Sequence, residues 1–351
     1  MFRTEHKSSK RGWRVAVVAI AAAATLGIGT TTASAAGIRA ESPVRPASSP
    51  PPSPPGASVS KVGGWPSATA ATCKYDVDII GARGSGEPAG GEFHGLGAPV
   101  SKMISVVEGY LKKDNYSYAT YAVNYPAASV SVLEPTAGQI AEFIAGAMDP
   151  LPLPEAVINA LVDYYDHQVK KYLASISAGV SAAVSEAEKL HRACSAALIV
   201  FAGYSQGAMV VHQAMLKLSG TITTCVKGAL LLADGNRVSN TKAQEFGTSL
   251  AKGEGIQTWI THTAHVGPAA HDIPSWAVNN AAIANICNKS DFVCDFNFFT
   301  GIHWSRGFKV HTSYAVEKNG KYTYEPVLTT AADFVGSDLI NILMGRGNNC
   351  H

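Results

Sequence analysis

Cysteine is scarce in this chain, with six in 351 residues, and none stands in a Cys-x-x-Cys pair. Such pairs build zinc sites, and the close histidines His262 and His265 have no further ligand-type residues beside them, so neither a metal nor a cofactor is expected. A charge excess is also missing: 28 basic residues face 26 acidic ones, for a formal net charge of +2. Several of the basic residues belong to the first 14 positions, which leaves no basis for nucleic acid or an acidic substrate as a partner. Long apolar runs are nearly absent. Beyond the run from Val15 to Ile28, no stretch reads as apolar enough to span a membrane, which takes about 20 residues. That run is itself short, follows Arg3, Lys7, Lys10, Arg11 and Arg14, and precedes the small residues Ala33-Ser34-Ala35. Residues 1–35 therefore read as an export signal, and the mature protein as secreted.

What remains divides in two. Residues 36–71 carry Pro43, Pro46, Pro50, Pro51, Pro52, Pro54 and Pro55 among Ser, Ala and Gly. That composition buries no core and reads as a disordered linker, with attachment to the cell wall left open. Residues 72–351 suit one large domain. It holds Cys73, Cys194, Cys225, Cys287, Cys294 and Cys350, an even number that in an oxidising compartment predicts three disulfides. Cys287 and Cys294 enclose a short loop and form the expected local pair; the other pairings stay open at this point.

Within that domain, strands are predicted over Val77 to Ala82, Tyr118 to Val123, Ala197 to Phe201, Val226 to Ala233 and Ala282 to Ile286. A long alanine-rich helix is predicted from Gln168 to Arg192, and another after Ser205. Strands alternating with helices imply an α/β fold, a three-layer sandwich whose mostly parallel sheet is covered on both faces. Ligands of such sheets bind beyond the carboxyl ends of the strands, where Arg83-Gly84-Ser85-Gly86, Ser205 and the loop after Ile286 all fall.

Gly203-Tyr204-Ser205-Gln206-Gly207 follows one of these strands and precedes a helix, the layout of a nucleophile elbow. A serine needs a histidine base oriented by a carboxylate, in the order Ser, acid, His on this kind of sheet. Asp291 lies between Cys287 and Cys294, where a disulfide clamps the loop presenting it; Asp234 is the runner-up and Asp295 ranks lower. Among His212, His262, His265, His271, His303, His311 and His351, the base is assigned to His311, with His303 as its competitor. His212 lies on the helix behind the serine, where packing is its expected role, and His351 is at the terminus. An oxyanion hole needs two amides, assigned to Gln206 and to the Arg83-Gly84-Ser85 turn, with the Ser85 hydroxyl as a further donor. Arg83 is expected to brace that turn.

Four segments in this order resemble the cutinase family, in its larger actinobacterial-type branch: Asp78 to Glu87, Gly203 to Gly207, Cys287 to Cys294, and His311 followed by Tyr314. The resemblance spans Cys73 to about Ile342 and implies an α/β-hydrolase fold with Ser205 as nucleophile, Asp291 as acid, His311 as base, and Ser85 with Gln206 as oxyanion hole. It also implies a Cys73–Cys194 disulfide beside Cys287–Cys294, leaving Cys225 and Cys350 to pair. The implied activity is hydrolysis of carboxylic esters in cutin, polyesters or lipids, by a monomer in transient contact with a lipid or polymer surface. Two departures bear on the substrate. An additional segment at 133–170, including Ile140 to Ile144, Pro150 to Pro154 and Val157 to Tyr165, either packs on the core or covers the site as a lid. Phe296, Phe298, Phe299, Trp304 and Phe308, between acid and base, either wall a pocket or join the core. The alternatives are a lipase or phospholipase with that lid, a carbohydrate deacetylase, and a non-catalytic lipid- or wall-binding protein, which would require a broken triad.

Overall fold

A computed structural model describes residues 73–130, 169–249, 251–264, 271–297, 300, 304–345 and 350. The expected export signal, the proline-rich linker, positions 133–168 of the additional segment, His265, Phe298, Phe299, His303 and His351 lie outside the described residues. Six strands form one sheet: β1 (Val77–Ala82), β2 (Tyr118–Ala122), β3 (Leu198–Tyr204), β4 (Val226–Leu232), β5 (Gln244–Phe246) and β6 (Ala282–Ile286). Their order is β2-β1-β3-β4-β6-β5 and every pairing is parallel. The seven helices among the described residues are α1 (Ala98–Lys113), α2 (Lys170–Ala193), α3 (Gln206–Lys217), the single turn α4 (Ile222–Cys225), α5 (Ile256–Ala264), α6 (Trp304–His311) and α7 (Pro326–Met344). A separate antiparallel hairpin joins β7 (Ala315–Lys318) to β8 (Lys321–Tyr324). Its turn residues Asn319 and Gly320 both have positive φ, as a two-residue Asn-Gly hairpin turn requires.

Strand alternation distributes the core to the two faces of the sheet. Val77, Ile79, Leu198, Val200, Leu230 and Leu232 pack with apolar residues of α1 and α7. Ile80, Ala82, Ile199, Phe201, Ala229 and Leu231 pack with those of α2 and α3. Both faces are buried, which explains why β1, β3 and β4 read as continuous apolar runs. The α7 helix corrects one expectation: with 19 residues and a mean hydropathy of 1.3, it is long and apolar enough to cross a membrane. Here it is a core helix, with Leu328, Ala331, Ala332, Val335 and Leu339 buried in the same cluster as the sheet.

Cysteine pairing follows the first two expectations. Cys73–Cys194 joins the start of the domain to the end of α2, with Cα atoms 5.0 Å apart, and Cys287–Cys294 closes the loop after β6 at 5.9 Å. The third bridge is not formed. Cys225 and Cys350 are buried free thiols in contact with each other. Each also lies near a backbone oxygen: Cys225 Sγ is 3.5 Å from the Ser195 carbonyl and Cys350 Sγ is 3.6 Å from that of Ala197.

Candidate active site

The chain leaves β1 toward β2 and returns to β3 on the other side, so the carboxyl ends of β1 and β3 bound the crevice where this topology reverses. Ser205 stands at that point, between the end of β3 and the first residue of α3, with φ 55° and ψ −119°. A non-glycine residue with positive φ stores strain, and such strain is held only where the surroundings over-determine it. Here its amide is fixed to the Leu232 carbonyl at 2.8 Å, and its carbonyl accepts from Met209 N–H in the first turn of α3. The flanking glycines are sterically required. A Cβ on Gly203 would sit 2.4 Å from the Gly207 carbonyl oxygen, and one on Gly207 would sit 2.0 Å from the Ala82 oxygen.

His311 Nε2 is 2.9 Å from Ser205 Oγ, and its Nδ1 is 3.0 and 3.1 Å from the two carboxylate oxygens of Asp291. All three side chains are buried. The acid loop is rigid for identifiable reasons. Asp291 Oδ1 accepts the amides of Val293 at 2.6 Å and Cys294 at 3.2 Å, inside the ring closed by the disulfide. The α6 helix, which ends at His311, lies directly on that loop: Phe292 N–H donates to the Gly307 carbonyl, and a Cβ on Gly307 would come within 3.0 Å of the Ser290 oxygen. Two tyrosines complete the surroundings. Tyr204 stacks on the His311 ring at 5.2 Å and donates to its carbonyl at 2.7 Å. The Tyr314 hydroxyl accepts Asn288 N–H at 2.8 Å and faces the Asp291 carboxylate. Burial, and then the charge of Asp291, holds both phenols well above their ordinary range, so they stay protonated donors.

The loop after β1 reaches the same place. A Cβ on Gly84 would strike the Tyr204 ring at 2.6 Å, which brings the Arg83 to Gly86 turn against the elbow. Arg83 is buried and braces it, donating to the carbonyls of Glu87, Val123 and Tyr125 while Tyr125 OH donates back to the Arg83 carbonyl. Glu87 accepts Gly84 N–H at 2.5 Å and Ala98 N–H at 3.2 Å; burial raises its carboxyl pKa against those two bonds. Gln206 opens α3, so its amide is among those without an intrahelical acceptor. The Ser85 hydroxyl is 2.8 Å from Tyr172 OH.

The competing residues lie elsewhere. Asp234 pairs at 2.6 Å with His212 of α3, and both are buried; burial lowers the imidazole pKa, but the charge and hydrogen bond of Asp234, together with Asp272, raise it by more, so the net shift is upward. Asp295 accepts Ser290 N–H and the Ser249 hydroxyl. Phe296 joins Trp259 and Phe292 in an aromatic cluster beneath the acid loop, whereas Phe308 lies beside the His311 ring at 6.2 Å. A cleft of about 430 Å³ at the amino ends of β4 and β6, lined by Lys227, Asn280 and Asp338 among others, contains none of these residues. Tyr204, Glu87 and Tyr172 were not singled out by the sequence reading. Tyr204 and Glu87 sit inside or beside motifs already noted, but nothing local marks Tyr172, which acts 87 positions away from its partner.

Residues 134–326 match the family described as cutinase. No curated protein matches the chain in sequence. Among solved structures, a cutinase-like protein from Cryptococcus sp. is 17% identical, with a TM-score of 0.41 over 80% of this chain and 98% of that one. An acetylxylan esterase is 20% identical, with a TM-score of 0.41 over 76% and 99%. Lysin B from Mycobacteriophage D29 is 15% identical, with a TM-score of 0.38 over 76% and 90%.

Proposed function

The chain belongs to the cutinase family and is a serine carboxylic ester hydrolase, and we propose that it acts through Ser205, His311 and Asp291 by way of an acyl-enzyme. One observation carries the reading: a single imidazole bonded on one side to a serine held at an elbow and on the other to a buried, disulfide-clamped carboxylate. In this mechanism Ser205 Oγ attacks the ester carbonyl carbon while His311 Nε2 takes its proton. The tetrahedral oxyanion rests on the Gln206 amide and on the Ser85 turn, and His311 returns the proton to the departing alcohol. Water then attacks the acyl-enzyme with His311 again as base, and the acid leaves as Ser205 recovers its proton. Asp291 holds the imidazole in the required tautomer and balances the imidazolium.

The substrate class is an ester of cutin, another polyester or a lipid. The enzyme is exported by residues 1–35, residues 36–71 serve as its linker, and 72–351 form the catalytic domain. The test is hydrolysis of nitrophenyl esters from acetate to palmitate, and of a cutin or polyester film, by the purified mature protein. Ser205→Ala is expected to lower kcat by about 10⁴-fold or more with the fold intact by circular dichroism. Undiminished turnover in that variant would overturn the assignment. Activity peaking on short chains with release from the film identifies a polyester hydrolase; activity on long chains only above an interface identifies a lipase.

A further inference from the structure

We propose that Tyr172 is a positioning residue for the oxyanion hole, fixing the Ser85 hydroxyl so that its proton points at the developing oxyanion. The inference rests on the reading of Ser205 as nucleophile and Ser85 as part of the hole. A serine hydroxyl has one proton and a freely rotating bond, so it is a dependable donor to the substrate only when another group occupies its oxygen. Tyr172 OH lies 2.8 Å from Ser85 Oγ. A phenol donating there leaves the Ser85 proton for the ester oxygen.

Tyr172 belongs to a group of polar side chains around Ser85 and Gln206. It sits in the first turn of α2, and three residues on, along the same helix face, comes Ser175. Ser175 is buried; its hydroxyl accepts Ala128 N–H at 3.0 Å and donates to Gln206 Oε1 at 3.2 Å. The Gln206 carboxamide, fully buried, lies against the same phenol. One face of α2 thus holds the Ser85 side chain through Tyr172 and the Gln206 side chain through Ser175, the two residues whose groups are proposed to receive the oxyanion. Burial raises the Tyr172 pKa, with Ser85 and Gln206 opposing it, so the phenol keeps its proton and has one to donate. Preorganised donors are effective because they need not reorient as charge develops, and a loosened hydroxyl loses part of that effect without losing the substrate.

The experiment is a double-mutant cycle on a short-chain nitrophenyl ester with wild type, Tyr172→Phe, Ser85→Ala and the double variant, alongside Ser205→Ala. Tyr172→Phe removes only the hydroxyl, and kcat is expected to fall about tenfold with KM unchanged, less than the 10²–10³ typical of deleting an oxyanion donor outright. In the Ser85→Ala background the same change is expected to have no further effect, because the phenol has nothing left to orient. Losses that multiply across the two sites, or a Tyr172→Phe effect confined to KM, would overturn the proposal. Should Tyr172→Phe fail to fold, Ser85→Ala alone still decides against it if kcat is undiminished. The reading beneath it fails separately: only persistent turnover in Ser205→Ala removes the nucleophile.

Discussion

Asp78 lies inside β1 with 4% of its surface exposed, and one of its carboxylate oxygens has no hydrogen-bond partner. Burial pushes its carboxyl up to about 6, against a hydrogen bond from Tyr121 and with Glu186 adding to the rise. Between about pH 4 and 6 the native state therefore holds a proton that the unfolded chain has lost, so stability falls as pH rises through that window. Above it, the ionised group costs on the order of 2 kcal/mol after allowance for solvent screening. Asp78→Asn is expected to unfold at higher denaturant than wild type at pH 8 and at the same concentration near pH 3.5. An Asn variant less stable at pH 8 would show that the carboxylate has a partner worth more than its burial. Ser205 differs in kind, because its positive φ is backbone strain held in place by the Leu232 carbonyl and the first turn of α3. Such strain is tolerated where it aims a reacting group.

Among the elements, the elbow depends on how closely β1, β3 and α3 approach. Gly207 is where they meet, and an added Cβ would lie 2.0 Å from the Ala82 oxygen and 2.4 Å from that of Arg83, both rigid backbone. Gly207→Ala is expected to cost about 3 kcal/mol and to lower kcat about tenfold or more, because Ser205, the proposed nucleophile, and the Ser85 turn are pushed apart. Chemical denaturation and esterase assay of the same preparation check both. The spacing of these glycines is also why the candidate site was legible in the sequence: Gly203 and Gly207 are sterically obligatory on either side of Ser205, and Cys287, Asp291 and Cys294 fall within one small loop. The same holds for β1 and β6, whose bounds coincide with the apolar runs that announced them. What escaped was non-local or weakly patterned. The three-residue β5 has no apolar alternation and exists because Phe246 and its neighbours pair with β6 at the sheet edge. The α1 and α7 helices were not placed, although the apolar face of each is plain once the sheet gives it something to cover. Tyr172 carries no motif, and the role proposed for it follows only from its long-range contact with Ser85. Asp234 and His212, each considered for the site, pair with one another in the core.

For the molecule as a whole, the two disulfides differ in purpose. Cys73–Cys194 spans 121 positions and Cys287–Cys294 spans 7. Loop entropy in the unfolded chain assigns about 5 kcal/mol to the long bridge and about 2.5 kcal/mol to the short one. Replacing Cys73 and Cys194 by serine is accordingly expected to cost the larger share of stability, whereas replacing Cys287 and Cys294 is expected to cost more kcat. Only the short ring holds the amides of Val293 and Cys294 against the Asp291 carboxylate. Equal kcat losses from the two replacements would contradict that division. All of these consequences presuppose the assignment of Ser205, so the most direct test is its covalent capture. The protein would be treated with a nitrophenyl alkylphosphonate and then subjected to intact-mass analysis and peptide mapping. The account predicts one phosphonyl group per chain, carried on Ser205, its formation tracking loss of esterase activity and abolished by Ser205→Ala. An adduct on another residue, or labelling that persists in the alanine variant, would contradict it.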